Sequence, residues 1–131
     1  MTPQAPFQPE SFVPLLERMR DLLLKHDFLA QATVVAELID LAHLGDASFA
    51  DRLGGGELWG SAGSVADIVD FRRSLEPVDP ETERDSVQLI HALIQLADDM
   101  RAQGIASVGS EFIGNGFRRG LDVSRRRKLE E

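Results

Sequence analysis

Apolar residues recur at helical spacing along most of this chain, and the runs are broken at Asp, Gly and Pro. Phe12, Leu15, Leu16, Met19, Leu22 and Leu23 share one face, while Glu17, Arg18, Arg20, Asp21 and Lys25 fill the other. That pattern predicts an amphipathic helix over residues 11–26, with Ser11 as its N-cap and Pro14 tolerated in the first turn. Asp27 is placed to cap a second helix over 28–44, which Gly45 closes. Leu29, Ala32, Val35, Ala36, Leu38, Ile39, Leu41 and Ala42 cover most of its circumference, so it reads as a central helix covered on several sides. A short third helix over 46–53, capped by Asp46 and ended by Gly54, turns Phe49 and Leu53 inward.

The stretch from Leu53 to Phe71 holds five of the eleven glycines and the only tryptophan. Glycine serves where backbone takes a positive φ or comes close to something else. Gly54, Gly55, Gly56, Gly60 and Gly63 around Trp59 therefore predict a shaped central loop, either a binding feature or a tight joint between helices. Ser64 and Asp67 then form a capping-box-like pair opening a fourth helix that ends near Ser74. Asp79–Pro80 starts a long last helix, with Glu81, Glu83 and Asp85 at the positive end of its dipole. Val87, Ile90, Leu93, Ile94, Ala97 and Met100 are its expected buried stripe, and Gly104 its stop. Beyond it, the glycines suggest a loop carrying Ile105, Val108, Phe112, Ile113 and Phe117 back onto the bundle. A partly frayed basic helix follows from about Leu121. The expected fold is an all-α, single-domain bundle of four to five helices. A flexible proline-containing arm spans 1–10, the bundle 11–104, and a glycine-rich segment with a basic extension 105–131.

Composition narrows the functions. The absence of cysteine removes disulfides, thiolate zinc sites and cysteine nucleophiles, and fits a cytoplasmic protein. No run approaches the ~18 apolar residues that span a bilayer. The start, MTPQAPFQPESF, lacks the basic-then-apolar pattern of a secretory signal. Asp plus Glu number 22 against 14 Lys plus Arg, for a net charge of −8. Residues 1–117 carry 19 acidic and 8 basic groups, and residues 118–131 carry 3 and 6. An acidic body repels phosphate backbones, which argues against nucleic acid, and suits a basic protein partner.

Motifs for catalysis are missing. No GK[ST] or G-x-S-x-G occurs, and Gly114, Gly116 and Gly120 depart from a dinucleotide fingerprint by one residue. His26 ends the first helix, where a cation favours the dipole. His43 follows Asp40 by one turn and His91 follows Gln88 by one turn, a layout that only partly resembles a carboxylate-bridged metal bundle. Partly buried, hydrogen-bonded histidines are expected at both positions, with no metal and no cofactor. Asp98 and Asp99 point about 100° apart, so they are expected to be solvated or paired with Arg101, Arg72 or Arg73. The cationic tail, Arg118, Arg119, Arg125, Arg126, Arg127 and Lys128, is expected to bridge to the acidic body or remain solvated.

The segment LWGSAGSVADIVDF resembles one found in uncharacterised small bacterial helical proteins, where an aromatic residue, a glycine pair, Gly-Ser, an apolar residue and Asp follow a two-helix start. LLERMRDLLLKH and GDASFADRL fit the same layout, so the resemblance spans about Leu15 to Phe71. Ser61 stands where the pattern more often has glycine. Some such proteins resemble immunity proteins encoded beside secreted toxins. Together with the acidic balance and the missing catalytic motifs, the expected function is a non-enzymatic protein-interaction module, of the acidic immunity type that covers a toxin's basic surface. Trp59, Glu57, Ser61, Gly63, Ser64 and Asp67 are the candidate contact residues. The alternative is a small-ligand or anion-binding protein using the Gly–Trp loop and the amides leading into Ser64.

Overall fold

The computed structural model describes residues 7–60, 63–68 and 80–130, the last ten by backbone alone, and every regular element among them is helical. A 3-10 turn, Pro9–Phe12, leads into α1 (Val13–Lys25) and α2 (Leu29–Leu44). Two short helices follow, α3 (Phe49–Leu53) and α4 (Gly56–Trp59). Two long ones complete the chain, α5 (Pro80–Ala102) and α6 (Val108–Glu130). This is the expected all-α bundle. None of the described helices is long and apolar enough to cross a membrane.

The amphipathic stripe of α1 buries Leu16, Met19 and Leu23 completely. At ~1.5–3 kcal/mol for each large apolar side chain removed from water, these three set the position of the helix. Ser11 does not cap it. The chain enters through the 3-10 turn with Phe12 at the N-cap position, and the Ser11 hydroxyl donates back to Gln8 O at 2.7 Å. Pro14 sits in the first turn, where its missing N–H has no helical partner to lose.

Asp27 does not cap α2 either. It takes a left-handed φ of 63° and ends α1. Its N–H donates to Leu24 O at 3.2 Å, and the N–H of Phe28 to Leu23 O at 2.9 Å. The N-cap of α2 is Phe28, which gives the helix no side-chain capping hydrogen bond. The same pair of closing bonds ends α2 at Gly45 and α5 at Gly104, which have φ of 64° and 78°. Asp46 turns the chain into α3 by accepting from Ser48 N and Ser48 Oγ at 2.8 and 2.7 Å. Phe49 and Leu53 face inward as expected.

The helices close a ring. α1 packs on α2, α2 on α4, α4 on α6, α6 on α5, and α5 back on α1. As expected of a central helix, α2 is covered on several sides, by α1, α3, α4 and the 3-10 turn, while α1 joins it to α5. One side of α2 is open, with Leu29 and Leu44 exposed. On α5 the stripe is rotated from the expected one. Leu89, Ala92, Leu93, Leu96, Ala97 and Met100 are buried, Ile90 and Ile94 are half-buried, and Val87 is exposed. With partners on two sides, α1 and α6, its buried arc is wider than a single stripe.

Two boundaries shift. The arm is docked from Phe7 onward. Phe7 stacks on Phe49 and lies tilted against Phe12, with ring centroids 6.0 Å apart in both pairs, and Gln8 N–H donates to Gln103 Oε1 at 3.0 Å. After Gly104 the loop is only residues 105–107, and the glycines beyond it lie in the first half of α6, a helix of 23 residues. Ser107 and Ser110 open it reciprocally. Ser107 N–H donates to Ser110 Oγ at 2.9 Å and Ser110 N–H to Ser107 Oγ at 3.0 Å. The expected fourth helix is a turn over residues 64–68, and its continuation to Ser74 lies outside the described residues.

Candidate functional site

The Gly–Trp segment begins with backbone at close quarters. A Cβ on Gly54 would stand 2.9 Å from Ser107 Cβ, and a Cβ on Gly109 would stand 3.0 Å from Trp59 Cβ. These two glycines let α3 and α4 meet the start of α6. Trp59, packed against Gly109, is 2 % exposed, with its indole N–H donating to Leu53 O at 2.9 Å. The expected contact residue is therefore a brace between α3, α4 and α6, and Gly109 makes room for it.

The remaining candidates lie on the outer side of this brace. Glu57 is exposed and shares Arg52 with Glu37, at 3.2 and 2.7 Å, tying α2, α3 and α4 together. Gly63 O accepts from Gln31 Nε2 at 2.7 Å. Val65 N–H and Ala66 N–H donate to Glu57 O and Leu58 O, strapping the segment back onto α4. Ser64 is buried and its Oγ accepts from Asp67 N–H at 3.2 Å. The Asp67 carboxylate accepts from Gly63 N–H at 2.9 Å. Gly63, Ser64 and Asp67 are thus gathered, but the Gly63 amide already holds an anion of the chain's own. Ser61 lies outside the described residues.

The histidines differ from expectation. His43 and His91 are exposed rather than partly buried. Asp40 is exposed too, and among the described residues no three His, Asp or Glu side chains form a metal-binding group. His26 instead turns its Nε2 to Asp85 Oδ2 at 2.8 Å. Lys25 Nζ reaches the same oxygen at 2.8 Å and Glu81 Oε1 at 2.7 Å. Asp85 is buried where the dipole argument alone would leave it solvated. The Lys25 hydrogen bond holds its carboxyl below the usual range; burial opposes this, and the His26 contact adds to the lowering. The cluster ties the end of α1 to the start of α5.

The acid pair on α5 divides its work. Asp98 accepts from Arg118 at 2.6 Å, one of the expected tail-to-body bridges, and lies 3.5 Å from Arg101. Asp99 accepts from Gln95 Nε2 at 2.8 Å. Arg101 also grips Glu111 with two bonds of 2.8 and 2.6 Å, which holds Glu111 below the usual carboxylate range.

Besides the open side of α2, a face of α6 is also free. Ser110, Ile113, Gly114 and Phe117 fall at i, i+3, i+4 and i+7 and turn toward the bundle. Val108 and Phe112, one turn apart, point away from it, 89 % and 72 % exposed. At the foot of this face Ala50, Asp51, Gly54, Ile105, Ala106 and Ser107 line a hollow of about 300 Å³. Val108 and Phe112 were expected to pack inward. Reading residues 108–117 as helix would have separated the two faces. No protein-family model, curated protein or solved structure matches the chain.

Proposed function

We propose that this chain is a non-enzymatic protein-interaction module, an acidic immunity-type protein that binds and neutralises a basic toxin. Its contact is the Val108–Phe112 face of α6. The observation that carries the reading is an exposed aromatic and an exposed β-branched residue on a helix braced from behind by Trp59, Ala97 and Arg101. An exposed apolar pair on a rigid element is a suitable anchor, because little ordering entropy is lost when it docks. Asp51 at the rim of the adjoining hollow, and the net charge of −8, favour a cationic partner. Trp59, first in line from the sequence, supports the face from inside. The anion reading of the Gly–Trp loop is less favoured, since Asp67 occupies the Gly63 amide.

The test is association with the product of the neighbouring gene, measured at low and high salt. Phe112→Ser should weaken binding by about tenfold or more and leave the melting temperature nearly unchanged. The on-rate should fall steeply with salt. Trp59→Ala should instead cost about 3–5 kcal/mol of stability. Unchanged binding by Phe112→Ser would remove this face from the proposal, and a salt-insensitive on-rate would remove the cationic partner.

A further inference from the structure

We propose that the groove between α1 and α5 is a binding site for a small phosphate-type oxyanion. Its polar lining is Arg18 from α1 with Gln88, His91 and Gln95 from α5, and its floor is Leu15 and Ala92. The sequence builds this row by helical spacing. Residues 88, 91 and 95 fall at i, i+3 and i+7, and so share one face of α5. Arg84 lies one turn before Gln88 on the same row.

The composition of the groove is the first argument. The chain carries 22 acidic residues, yet no carboxylate lines this cavity of about 400–450 Å³. The acids of the two helices are mostly engaged elsewhere. Asp21 pairs with Arg20, Glu81 and Asp85 with Lys25, and Asp98 with Arg118. Asp99 stands at one end and accepts one N–H of Gln95, leaving the other N–H of that amide for a ligand.

The second argument is the state of the donors. Arg20, Arg52, Arg101 and Arg118 each hold a carboxylate. Among the described residues Arg18, Gln88 and His91 have no hydrogen-bond or ion-pair partner, although they converge on one space. A guanidinium offers a planar fork matched to phosphate oxygens. Two amides supply further N–H donors, and an imidazole N–H can add another. Leu15 and Ala92 on one side reduce the solvent that would screen these contacts. The guanidinium fork with N–H donors from two amides offers more contacts than a monocarboxylate has oxygens to use, and so favours a phosphate-type oxyanion.

This groove lies on a different helix pair from the Val108–Phe112 face, and its test is independent of that face. The intact chain is titrated with inorganic phosphate and, separately, with phenyl phosphate. Backbone and side-chain amide shifts are followed, with sodium chloride at matched ionic strength as control. The expected result is saturable shifts at Gln88, Gln95 and the Arg18 side chain. Arg18→Gln and His91→Gln, both at exposed positions, should fold normally, and Arg18→Gln should weaken binding about tenfold or more. Arg119→Gln should bind as the parent chain does. Tighter phenyl phosphate would assign a phosphate monoester whose organic part lies on Leu15 and Ala92, and equal binding would assign free phosphate. Shifts no larger than those with chloride, shifts centred on Arg118 and Arg119, or undiminished binding by Arg18→Gln would each overturn the site.

Discussion

Asp27 is the one described non-glycine residue with a positive φ, and it does a task that glycine performs twice elsewhere in the chain. Asp tolerates the left-handed region better than most residues but not as well as glycine. Asp27→Gly should therefore raise stability by about 0.5–1 kcal/mol. Gly45→Ala should lower it by about 1 kcal/mol, although a Cβ there would meet nothing within 4 Å. Denaturant melts of the two variants should move in opposite directions. If both destabilise, the helix-end account of Asp27 is wrong. The stops at Gly45 and Gly104 were legible because glycine after an apolar run has one common use. Asp27 was misassigned because Asp is a better-known helix starter than helix terminator, and the two positions adjoin.

At the scale of the element, α6 sets propensity against packing. Its glycines lower helix propensity by about 1 kcal/mol each, so the sequence reads as loop. Packing overrides that reading at two of them. A Cβ on Gly114 would stand 2.9 Å from Ala97 Cβ, and one on Gly109 would stand 3.0 Å from Trp59 Cβ. Gly116 and Gly120 face open space. Gly109→Ala and Gly114→Ala should therefore destabilise by about 1–3 kcal/mol, since overpacking exceeds the propensity gain. Gly116→Ala and Gly120→Ala should stabilise by up to about 1 kcal/mol. Thermal melts of the four variants separate the cases, and gains at all four would mean that α6 does not pack closely. The spans of α1, α2 and α3 and the start of α5 were largely legible, because each combines a regular stripe with a recognisable stop or start. The exposed pair Val108 and Phe112 was not, because a face cannot be assigned before its helix is.

For the whole molecule, closure depends on distant ends meeting. The Asp85 cluster joins α1 to α5, and Trp59 joins α4 to α6. Asp85 has a lowered carboxyl pKa in the fold, so its contribution is fully present above the ordinary aspartate range near pH 4. It is lost as pH falls through the depressed value. Stability should therefore decline on acidification below about pH 4. Asp85→Asn should lower stability at neutral pH by about 1–3 kcal/mol and flatten that acid limb. An unchanged acid limb in this variant would assign the decline to other carboxylates. The bundle itself was legible from periodicity. Which helices touch was not, because a stripe shows that a face is buried without showing what covers it. Trp59 illustrates the same limit: its size and amphipathic ring suit an interior brace and an exterior anchor equally.

The two glycines pressed against Trp59 and Ala97 also select among the ways α6 could lie on the bundle. They are five residues apart, and among the glycines of α6, at 109, 114, 116 and 120, no other pair has that separation. Sliding the helix along its bed would bring a side chain against at least one of the two tight points. The same contacts that penalise alanine at either position therefore penalise competing alignments. A segment with weak helical propensity is thereby given one place to dock, and decoy packings of the chain are disfavoured along with the unfolded state.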